Sequence, residues 1–411
     1  MQPRLSRSSL SGLLASAAVS LLLVHVAQAS PRYKVLHAFG ASGDGGGLWT
    51  SVTLDKKGSL YGATSGGGTY NGGTVFRLTP NRKGGWTEAI LHNFPSSQQD
   101  GGDPNGGLVH DARGNWYGTT HFGGVYDGGV VFELTHGSSG WVENILYTFG
   151  DQILDGGGPV AGLVMDEGGD LYGTAPYGGS TAFELRPGFG VWEETIMHHF
   201  GVKKGDGAAP FAGLILDAAG NLYGTTEGGG KACDGEGCGA VYELQRTASG
   251  WKEIVLHRFD NNGKDGVTPG WGALVMDSSG NLYGTTATGG CCGGVVFKLT
   301  PGSDNHWAET ILYEFKGGTD GFEPAAGVVM DKSGNLYGTT IAGGSGCDCG
   351  VVYKLAPGPK GKWTYTLLHT FGGYDGAQPD ANLILDDKGN LYGTTATGGA
   401  NGAGVVFELT P

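Results

Sequence analysis

The chain has 411 residues, a formal net charge of −14 and an unusually high content of turn-forming residues, with 84 glycines and 16 prolines. The excess of acidic residues argues against a nucleic-acid partner, because binding to phosphates requires a basic face. The glycines recur at fixed places between apolar runs, which excludes a low-complexity disordered chain and indicates that they are turn residues.

The first 29 residues have the features of a secretory signal peptide. Arg4 and Arg7 give a basic start, an apolar run extends over residues 13–26, and residues 27–29 form an A-x-A cleavage site. The alternative is a membrane anchor, for which the apolar run is too short. We therefore predict export to the periplasm, the cell surface or the extracellular space, with no membrane span after removal of residues 1–29.

The rest of the chain consists of seven copies of a repeat of about 55 residues. Each copy contains up to four runs with the composition of β-strands, which follow the patterns G-L-V-M-D, L-Y-G-T-T, G-V-V-F-E-L and W-x-E-x-I-L-H-x-F. An aspartate ends the first run of every copy, and a turn with Gly and Asn, Asp or Ser follows it. These anchor aspartates are Asp55, Asp111, Asp166, Asp217, Asp277, Asp331 and Asp386.

Four antiparallel strands in each of seven units predict an all-β fold, a seven-bladed β-propeller that occupies residues 30–411 as a single domain. A parallel β-helix is the alternative, but its coils are shorter than this repeat. The last repeat stops at Pro411 after its third run, and residues 33–39 are an additional copy of the fourth run. We therefore predict that residues 33–39 complete the last blade and close the ring, which removes an unpaired edge. We expect the protein to be a monomer.

The motif Y-G-T-T-x-x-G-G followed by G-V-V-F-E-L resembles the bacterial exported tandem repeats known as GloVer repeats, which occur in "choice-of-anchor" proteins. The resemblance extends over essentially all of residues 33–411. The family has no general activity to transfer, and it assigns no catalytic residue. Such proteins often end in a surface-anchoring tail that this sequence lacks, so the resemblance implies release, or association with the outer surface by other means.

The most informative positions are those at which the repeats differ. Six residues before each anchor aspartate, at the start of the innermost strand, the sequence has Trp49, Asn105, Val160, Phe211, Trp271, Ala325 and Asp380. In a propeller these positions, here called the ring positions, circle the mouth of the central channel. They lie on the face with the most variable loops, where function is usually placed.

Aromatic and polar side chains at one rim suit a sugar or another amphipathic ligand. The predicted ligand-binding residues are therefore Trp49, Asn105, Phe211, Trp271 and Asp380. Simple packing of these residues beneath the inter-blade loops is the alternative. Tyr70, Tyr126 and Tyr177 lie farther out on the same face and extend such a surface.

All six cysteines lie in the loops between the second and third runs of three consecutive repeats, and they are Cys233, Cys238, Cys291, Cys292, Cys347 and Cys349. An even number of cysteines in an exported chain predicts disulfides, and Cys233–Cys238 is the simplest pair because it brackets a short loop. The adjacent pair and the C-x-C pair would be strained if closed internally, which leaves pairing across neighbouring blades as an alternative. A soft-metal site built from these loops is the competing interpretation.

Three further sets of polar residues repeat around the ring. Every inter-blade loop contains an aspartate followed by glycine, and these are Asp44, Asp100, Asp155, Asp206, Asp265, Asp320 and Asp375. Seven carboxylates on one face are a candidate Ca²⁺ site, whereas the simpler role is a turn aspartate that bonds its own backbone. We predict no resident metal or cofactor, with Ca²⁺ as the one candidate.

The fourth runs supply the other two sets. A histidine alternates with tyrosine in the order His37, His92, Tyr147, His198, His257, Tyr313 and His369, and the W-x-E glutamates are Glu88, Glu143, Glu194, Glu253 and Glu309. Packing and hydrogen bonding between strands or blades is the predicted role of both sets.

These observations predict an exported binding or interaction module, with a glycan or a surface protein as its partner. One alternative is a polysaccharide lyase or hydrolase on the same scaffold, with His121, His110 or a rim acid as the reactive group. A purely structural envelope protein is the other. The propeller fold supports all three, so it does not decide among them, and the sequence predicts no specific catalytic residue.

Overall fold

A computed structural model describes residues 30–95, 100–150, 154–231, 237–303 and 306–411. The predicted signal peptide, residues 1–29, lies outside the described residues. Residues 31–411 form one compact unit of seven antiparallel blades arranged as a propeller, so the predicted fold is confirmed. Among the described residues, no helix has the length and apolar character needed to cross a membrane.

Each blade consists of four strands, numbered here from the channel outward. The first strands are Thr53–Leu54, Val109–His110, Val164–Met165, Ile215–Leu216, Val275–Met276, Val329–Met330 and Ile384–Leu385. The second strands are Leu60–Thr64, Trp116–Thr120, Leu171–Ala175, Leu222–Thr226, Leu282–Gly289, Leu336–Thr340 and Leu391–Thr395, and they define blades 1 to 7 in this order. The third strands are Thr74–Pro80, Val130–Gly137, Thr181–Pro187, Ala240–Thr247, Val295–Pro301, Val351–Pro357 and Val405–Thr410.

The fourth, outermost strands of blades 1 to 6 are Trp86–Asn93, Gly140–Thr148, Trp192–His199, Gly250–Arg258, Trp307–Glu314 and Trp363–Thr370, and that of blade 7 is Arg32–Ala38. Short strands also pair the inter-blade loops with the loops after the second strands. They are Gly45–Gly46 with Gly66–Gly67, Gly101–Gly102 with Phe122–Gly123, Gly207–Ala208 with Gly228–Gly229, and Gly266–Pro269 with Leu282–Gly289. Two 3₁₀ turns, Gly318–Asp320 and Pro359–Gly361, complete the described elements.

The glycine of the Y-G-T motif makes room for the aromatic residue of the third strand. A Cβ atom at Gly118 would lie 2.6 Å from Cζ of Phe132, and one at Gly224 would lie 2.5 Å from the hydroxyl of Tyr242. The missing side chain therefore lets the Phe or Tyr ring lie across the neighbouring strand, which explains why the two motifs occur together in every repeat.

The anchor aspartates build the hairpins between the first and second strands. In blade 3, Oδ1 of Asp166 accepts hydrogen bonds from the backbone N–H groups of Gly168 and Asp170 at 2.9 Å, and Oδ2 accepts the hydroxyl of Tyr172 at 3.1 Å. The other six anchors make the same three bonds. This side-chain turn fixes the register of each hairpin.

The apolar core lies between the blades. The buried residues form seven clusters, each shared by two neighbouring blades. Between blades 4 and 5, for example, Phe259 packs edge-on against Phe297 with ring centroids 5.2 Å apart. A one-residue bulge in the fourth strand of blade 4 adds Leu256 to the same cluster.

The N-terminal strand closes the ring as predicted. Arg32–Ala38 pairs antiparallel with Val405–Thr410, so that Tyr33 lies opposite Leu409 and Ala38 lies opposite Val405. Side chains strengthen this closure, because the hydroxyl of Tyr33 donates to the carbonyl of Asp375 in the preceding inter-blade loop at 2.6 Å. The first and last described strands therefore belong to one blade.

Deletion of residues 33–39 should destabilise the entire propeller. The third strand of blade 7 would lose its partner, and two shared apolar clusters would open to water. Because each blade depends on its neighbours, we expect the free energy of unfolding to fall by several kcal/mol, on the order of a large fraction of the total. Thermal unfolding followed by circular dichroism measures this loss.

A relocated strand provides the control. Arg32 lies opposite Thr410, so a tight turn after Pro411 suffices to return the same segment as a hairpin strand. A variant that lacks residues 33–39 at the front but carries them after Pro411 should recover most of the lost stability. Equal melting temperatures for the deletion variant and the intact protein would contradict ring closure.

Candidate functional site

The ring positions meet at one cavity at the mouth of the central channel. The cavity has a volume of about 460 Å³, and six of the seven ring positions line it, namely Trp49, Asn105, Val160, Phe211, Trp271 and Asp380. The two tryptophans keep 44% and 48% of their surface exposed, so neither is a core residue. The seventh position, Ala325, is buried. The structure therefore brings together all five of the predicted ligand-binding residues.

Backbone bonds between blades hold these residues in place. Two or three positions before each ring residue, the chain has a left-handed backbone, as at Asp103 with φ 56° and Glu323 with φ 62°. The N–H of Asp103 donates to the carbonyl of Gly72 in the preceding blade, and its carbonyl accepts the N–H of His121 in its own blade, both at 3.0 Å. Non-glycine residues in this conformation are strained by about 1–3 kcal/mol, and such strain concentrates at functional sites.

Threonines of the second strands fix the other side of the ring positions. The hydroxyl of Thr119 in blade 2 donates to the carbonyl of Ala161, the residue after ring position Val160 in blade 3, at 3.1 Å. Thr394 makes the equivalent bond to Thr50, next to Trp49, at 2.8 Å. The Y-G-T-T motif thus positions the cavity wall of the next blade, which makes the cavity a rigid, preformed feature.

The polar groups of the cavity are acidic or neutral. Asp103, Asp380, Asn105 and Asn382 line it, and no lysine, arginine or histidine does so among the residues that the structure describes. Oδ1 of Asn382 accepts the N–H of Gly327 at 2.7 Å, whereas Oδ1 of Asp380 and Oδ1 of Asn105 are buried and have no hydrogen-bond partner.

Burial raises the pKa of Asp380 to about 7, and the negative charge of Glu323 adds to the effect. Sequence reasoning missed Glu323, Asn382 and Asp103 as neighbours of the site. The signal available for Asp103 and Glu323 was a polar residue at the position where two other repeats have glycine, Gly47 and Gly158.

A tract of aromatic rings leads outward from the cavity. Phe211 packs edge-on against Tyr177 at 5.6 Å, Tyr177 stacks on the ring of His121 at 5.5 Å, and His121 stacks on Phe122 at 3.9 Å. Phe122 and Tyr177 are about half exposed. None of Tyr70, Tyr126 and Tyr177 lines the cavity itself, but Tyr177 contacts the lining residue Phe211 and so continues the aromatic surface outward.

The two histidines proposed as reactive groups lie in different places. Nδ1 of His121 is 3.3 Å from Oδ2 of Asp103, and this pair borders the cavity. His110 is at the far end of the first strand of blade 2, where its ring contacts Trp116 at 4.8 Å. The geometry therefore keeps His121 as a candidate and removes His110 from the site.

The repeated polar sets lie away from the cavity, where they form one group at each blade interface. The His or Tyr of a fourth strand, the Asp of the following loop and the W-x-E residue of the next blade come together. Between blades 3 and 4, Nε2 of His198 lies 3.3 Å from Asp206 and 3.7 Å from Glu253. Between blades 2 and 3, the hydroxyl of Tyr147 donates to Glu194 at 2.7 Å.

Two interfaces contain no W-x-E glutamate and use tyrosine instead. Tyr365 donates to the carbonyl of Asp320 at 2.8 Å, and Tyr33 stacks on His369 at 3.8 Å. The interface aspartates also bond backbone N–H groups, as Asp44 does with Gly45 at 2.8 Å. These groups are inter-blade polar clusters with the packing role expected for their histidines and glutamates, although Nε2 of His92 and Nε2 of His257 contact carboxyl oxygens without a hydrogen bond.

Four of these interfaces place one histidine nitrogen and two carboxylate oxygens within 4.8 Å of one another. The four groups are His37 with Asp44 and Glu88, His92 with Asp100 and Glu143, His198 with Asp206 and Glu253, and His257 with Asp265 and Glu309. This donor set differs from the shell of six to eight oxygens that Ca²⁺ prefers. It is compatible with Zn²⁺, but the tyrosine-containing interfaces have the same arrangement without those ligands. Hydrogen bonding therefore accounts for the repeated geometry.

Burial gives the interface glutamates unusual protonation behaviour. Desolvation, together with the neighbouring Asp100, raises the pKa of Glu143 to about 9. Desolvation likewise raises the pKa of Glu88, Glu253 and Glu309 to about 7. A protonated glutamate next to an ionised aspartate shares one proton between two carboxyl groups, which relieves their repulsion.

The cysteines differ from the sequence-based expectation. Cys347 and Cys349 form a disulfide within their own loop, with Cα atoms 5.2 Å apart, so the C-x-C pair does not bridge two blades. Cys291 and Cys292 are exposed free thiols, since a bond between adjacent residues would strain the peptide that joins them. Cys238 is disulfide-bonded, while its expected partner Cys233 lies outside the described residues.

The free energy of unfolding should fall as the pH rises from about 5 to about 9. The native state keeps protons on glutamates such as Glu143, whereas the unfolded chain releases them near pH 4.5, so stability present below that pH is lost as the pH passes the raised pKa values. Glu143→Gln, which is neutral at every pH, should flatten part of this slope. Urea unfolding at a series of pH values measures the effect.

Glu193→Gln is the matched control for this measurement. Glu193 is an exposed glutamate of the fourth strand in blade 3, next to the W-x-E position. Its replacement should leave the pH dependence of unfolding unchanged. If Glu143→Gln and the intact protein give parallel curves, the assignment of a buried protonated glutamate at this interface is wrong.

The fold recurs in solved structures of low sequence identity. PorZ, a surface component of the type-IX secretion system of Porphyromonas gingivalis, aligns with 90% of this chain and 47% of its own, with a TM-score of 0.52 and 17% identity. The extracellular domain of a candidate hybrid two-component system from Bacteroides thetaiotaomicron aligns with 93% of this chain and 42% of its own, with a TM-score of 0.56 and 12% identity.

A candidate 6-phosphogluconolactonase from Bacteroides uniformis aligns with 77% of this chain and 83% of its own, with a TM-score of 0.50 and 13% identity. The chain spans less than half the length of the first two proteins. At these identities the likeness shows the propeller fold alone.

The family comparison is more specific. No curated protein sequence matches the chain. The model of the Gloeobacter/Verrucomicrobia repeat matches residues 22–236, 176–310 and 292–411, so the predicted resemblance is confirmed and the protein belongs to this family.

Proposed function

We propose that the protein is an exported binding module whose central cavity takes a glycan or another surface ligand. The observation that carries this proposal is the convergence of six non-equivalent ring residues, among them the half-exposed Trp49 and Trp271, on one rigid cavity. Positions that only pack the fold are nearly the same in every blade, whereas these differ. Variation among equivalent positions that meet in one cavity is expected of a site that recognises an asymmetric ligand.

The composition of the cavity wall suits a carbohydrate. Indole faces stack on the apolar faces of sugar rings, and amide or carboxylate oxygens orient hydroxyl groups. Trp49, Trp271 and Phe211 supply the faces, and Asn105 and Asp380 supply oxygens that lack partners within the protein. The aromatic tract through Tyr177 offers a path along which a longer chain leaves the cavity.

A polysaccharide lyase or hydrolase is the second candidate, and one observation favours it. Asp103, which is paired with His121, lines the same cavity as Asp380, a carboxyl group whose raised pKa of about 7 would suit a general acid. The same experiment separates the two functions, because an enzyme converts a bound glycan to product and a binding module returns it unchanged.

Replacement of Trp271 by Ala should weaken glycan binding at least about tenfold, as expected for an aromatic hot spot, because a stacking face is lost. The variant should melt close to the intact protein, since a half-exposed side chain leaves no sealed cavity. A glycan array identifies the ligand, titration calorimetry of the array hits measures the affinity, and chromatography of the same mixtures detects any product.

Two aromatic residues outside the cavity serve as controls. Tyr374 is 92% exposed and does not line the cavity, so Tyr374→Ala should change neither binding nor stability. Trp86 packs against an inter-blade cluster, so Trp86→Ala should lower the melting temperature. If Trp271→Ala behaves like Trp86→Ala and leaves glycan binding intact, the ring residues stabilise the fold and the proposed site is wrong.

Export through a signal peptide is part of this proposal. The match to an exported repeat family supports it, as do structural neighbours that are surface or extracellular components. Expression of the full chain in a bacterial host should yield an exported protein that begins at Ser30 or a close neighbour, which mass spectrometry of the intact protein detects. An exported protein that retains Met1 would contradict cleavage and favour an uncleaved anchor.

A further inference from the structure

We propose that the cavity recognises a positively charged ammonium group of its ligand, held between the carboxylate of Asp380 and the aromatic wall. This inference rests on the proposed binding site but specifies the chemistry of the ligand, which a glycan in general leaves open. An amino sugar, or a glycan substituted with a quaternary amine, has this chemistry.

The first argument is the state of Asp380. The residue is 7% exposed, lines the cavity and has a buried Oδ1 without a hydrogen-bond partner. Buried carboxyl groups in proteins normally have a partner, so one without any is an incomplete interaction. Carboxyl groups at the blade interfaces also include buried oxygens without a hydrogen-bond partner, but they contact a polar side chain of the fold, as Asp206 and Glu253 do with His198, whereas Asp380 has no histidine, lysine or arginine partner among the described residues.

The second argument is the charge of the surroundings. Asp103 lines the same cavity, Glu323 is close enough to act on Asp380, and no basic residue lines the cavity among the described residues. Among the described residues, none supplies a positive partner to the ionised form of Asp380, so a cationic ligand is the complement that this site lacks. An anionic ligand is disfavoured by the same arrangement and by the net charge of −14.

The third argument is the aromatic wall, which selects an organic cation over a metal ion. Trp49, Trp271 and Phe211 line the cavity, and aromatic faces bind ammonium groups through the cation–π interaction. A metal ion requires several oxygen, nitrogen or sulfur donors close together. The groups of three such residues found in the described part of the chain all lie at blade interfaces, and none includes Asp380.

The electrostatics of Asp380 add a pH signature. Burial, reinforced by Glu323, raises its pKa to about 7, so in the free protein the group is largely protonated at mildly acidic pH. A bound cation favours the ionised form, so binding releases a proton. For a ligand with a permanent charge, affinity should therefore rise as the pH increases from about 5.5 to about 8. Asp103, which His121 contacts, and Glu323 are the other titratable groups at this site.

The test compares choline with its neutral isostere 3,3-dimethyl-1-butanol. The two molecules have the same shape and differ by one permanent charge, and quenching of tryptophan fluorescence at constant ionic strength reports binding beside Trp49 and Trp271. We expect choline to bind the intact protein at least about tenfold more tightly than the isostere, a preference that Asp380→Asn should reduce to less than about twofold. Calcium chloride at the same ionic strength should not compete.

Several outcomes would overturn the inference. Equal binding of choline and its isostere would show that the cavity ignores charge, and competition by Ca²⁺ would assign Asp380 to a metal site. If Asp380→Asn does not fold, the pH profile of choline binding to the intact protein decides, because affinity that does not change between about pH 5.5 and about pH 8 contradicts a role for Asp380.

The result also separates this inference from the proposed function. A neutral glycan that binds with its affinity reduced by Trp271→Ala, while choline does not bind, leaves the glycan site valid and the ammonium subsite wrong. Choline binding that depends on Asp380, together with no glycan on the array, leaves the subsite valid and the glycan proposal wrong. Failure of both choline and the glycans to bind would remove both proposals.

Discussion

The structure depends on one constraint, which is that no blade buries its apolar face alone. The phenylalanine directly after a fourth strand, such as Phe259, packs on Phe297 of the next blade, and the same contact recurs around the ring. Each blade thus supplies one side of two apolar clusters. An open array would expose the unpaired apolar faces of its first and last blades to water. The pairing of Arg32–Ala38 with Val405–Thr410 follows from this constraint, because it joins the last cluster to the first through main-chain bonds.

The same repetition that closes the ring also frees one set of positions to vary. In five blades a threonine of the second strand bonds a carbonyl beside the ring position of the next blade, and the left-handed residue before each ring position bonds neighbouring segments, so these bonds hold the cavity wall whatever side chain it has. Main-chain bonds do not depend on side-chain identity. Trp49, Val160 and Asp380 can therefore occupy equivalent positions without a change in fold, which is how a symmetric scaffold forms an asymmetric cavity.

The sequence was sufficient for this part of the site because the repeat provides the register. Counting back from the anchor aspartates places Trp271 and Asp380 at equivalent positions, and a closed ring brings equivalent positions together. The polar groups at the blade interfaces were harder to predict from the sequence. Asp206 and Glu253 are 47 residues apart in the sequence, and each has a plausible local role. Nothing in either motif therefore indicated that both side chains contact His198.

The backbone conformation of the inter-blade loops and the pairing of the cysteines could also not be predicted from the sequence pattern. Glu323 has a left-handed backbone although its side chain disfavours it, since the inter-blade bonds on both sides of the residue determine the conformation. The pairing of Cys347 with Cys349 depends on how the loop turns, with Cα atoms 5.2 Å apart, and residue spacing alone does not give that distance.

The buried carboxyl groups at the blade interfaces and the buried carboxyl group of Asp380 in the cavity lead to different conclusions about function. Glu143 and the equivalent glutamates beside a histidine also have a buried Oε1 without a hydrogen-bond partner, but each carboxyl group contacts a polar side chain across its blade interface, a histidine and an aspartate for Glu143. Asp380 has a buried Oδ1 without a partner and, among the described residues, no side chain of opposite charge beside it, and the strained residue two positions before it belongs to the inter-blade loop that holds it at the cavity. A buried polar group that the fold leaves unpaired costs stability in the free protein. That cost is recovered only when a complementary group enters the cavity, which is why the unpaired carboxyl group, and not the paired ones, points to a ligand.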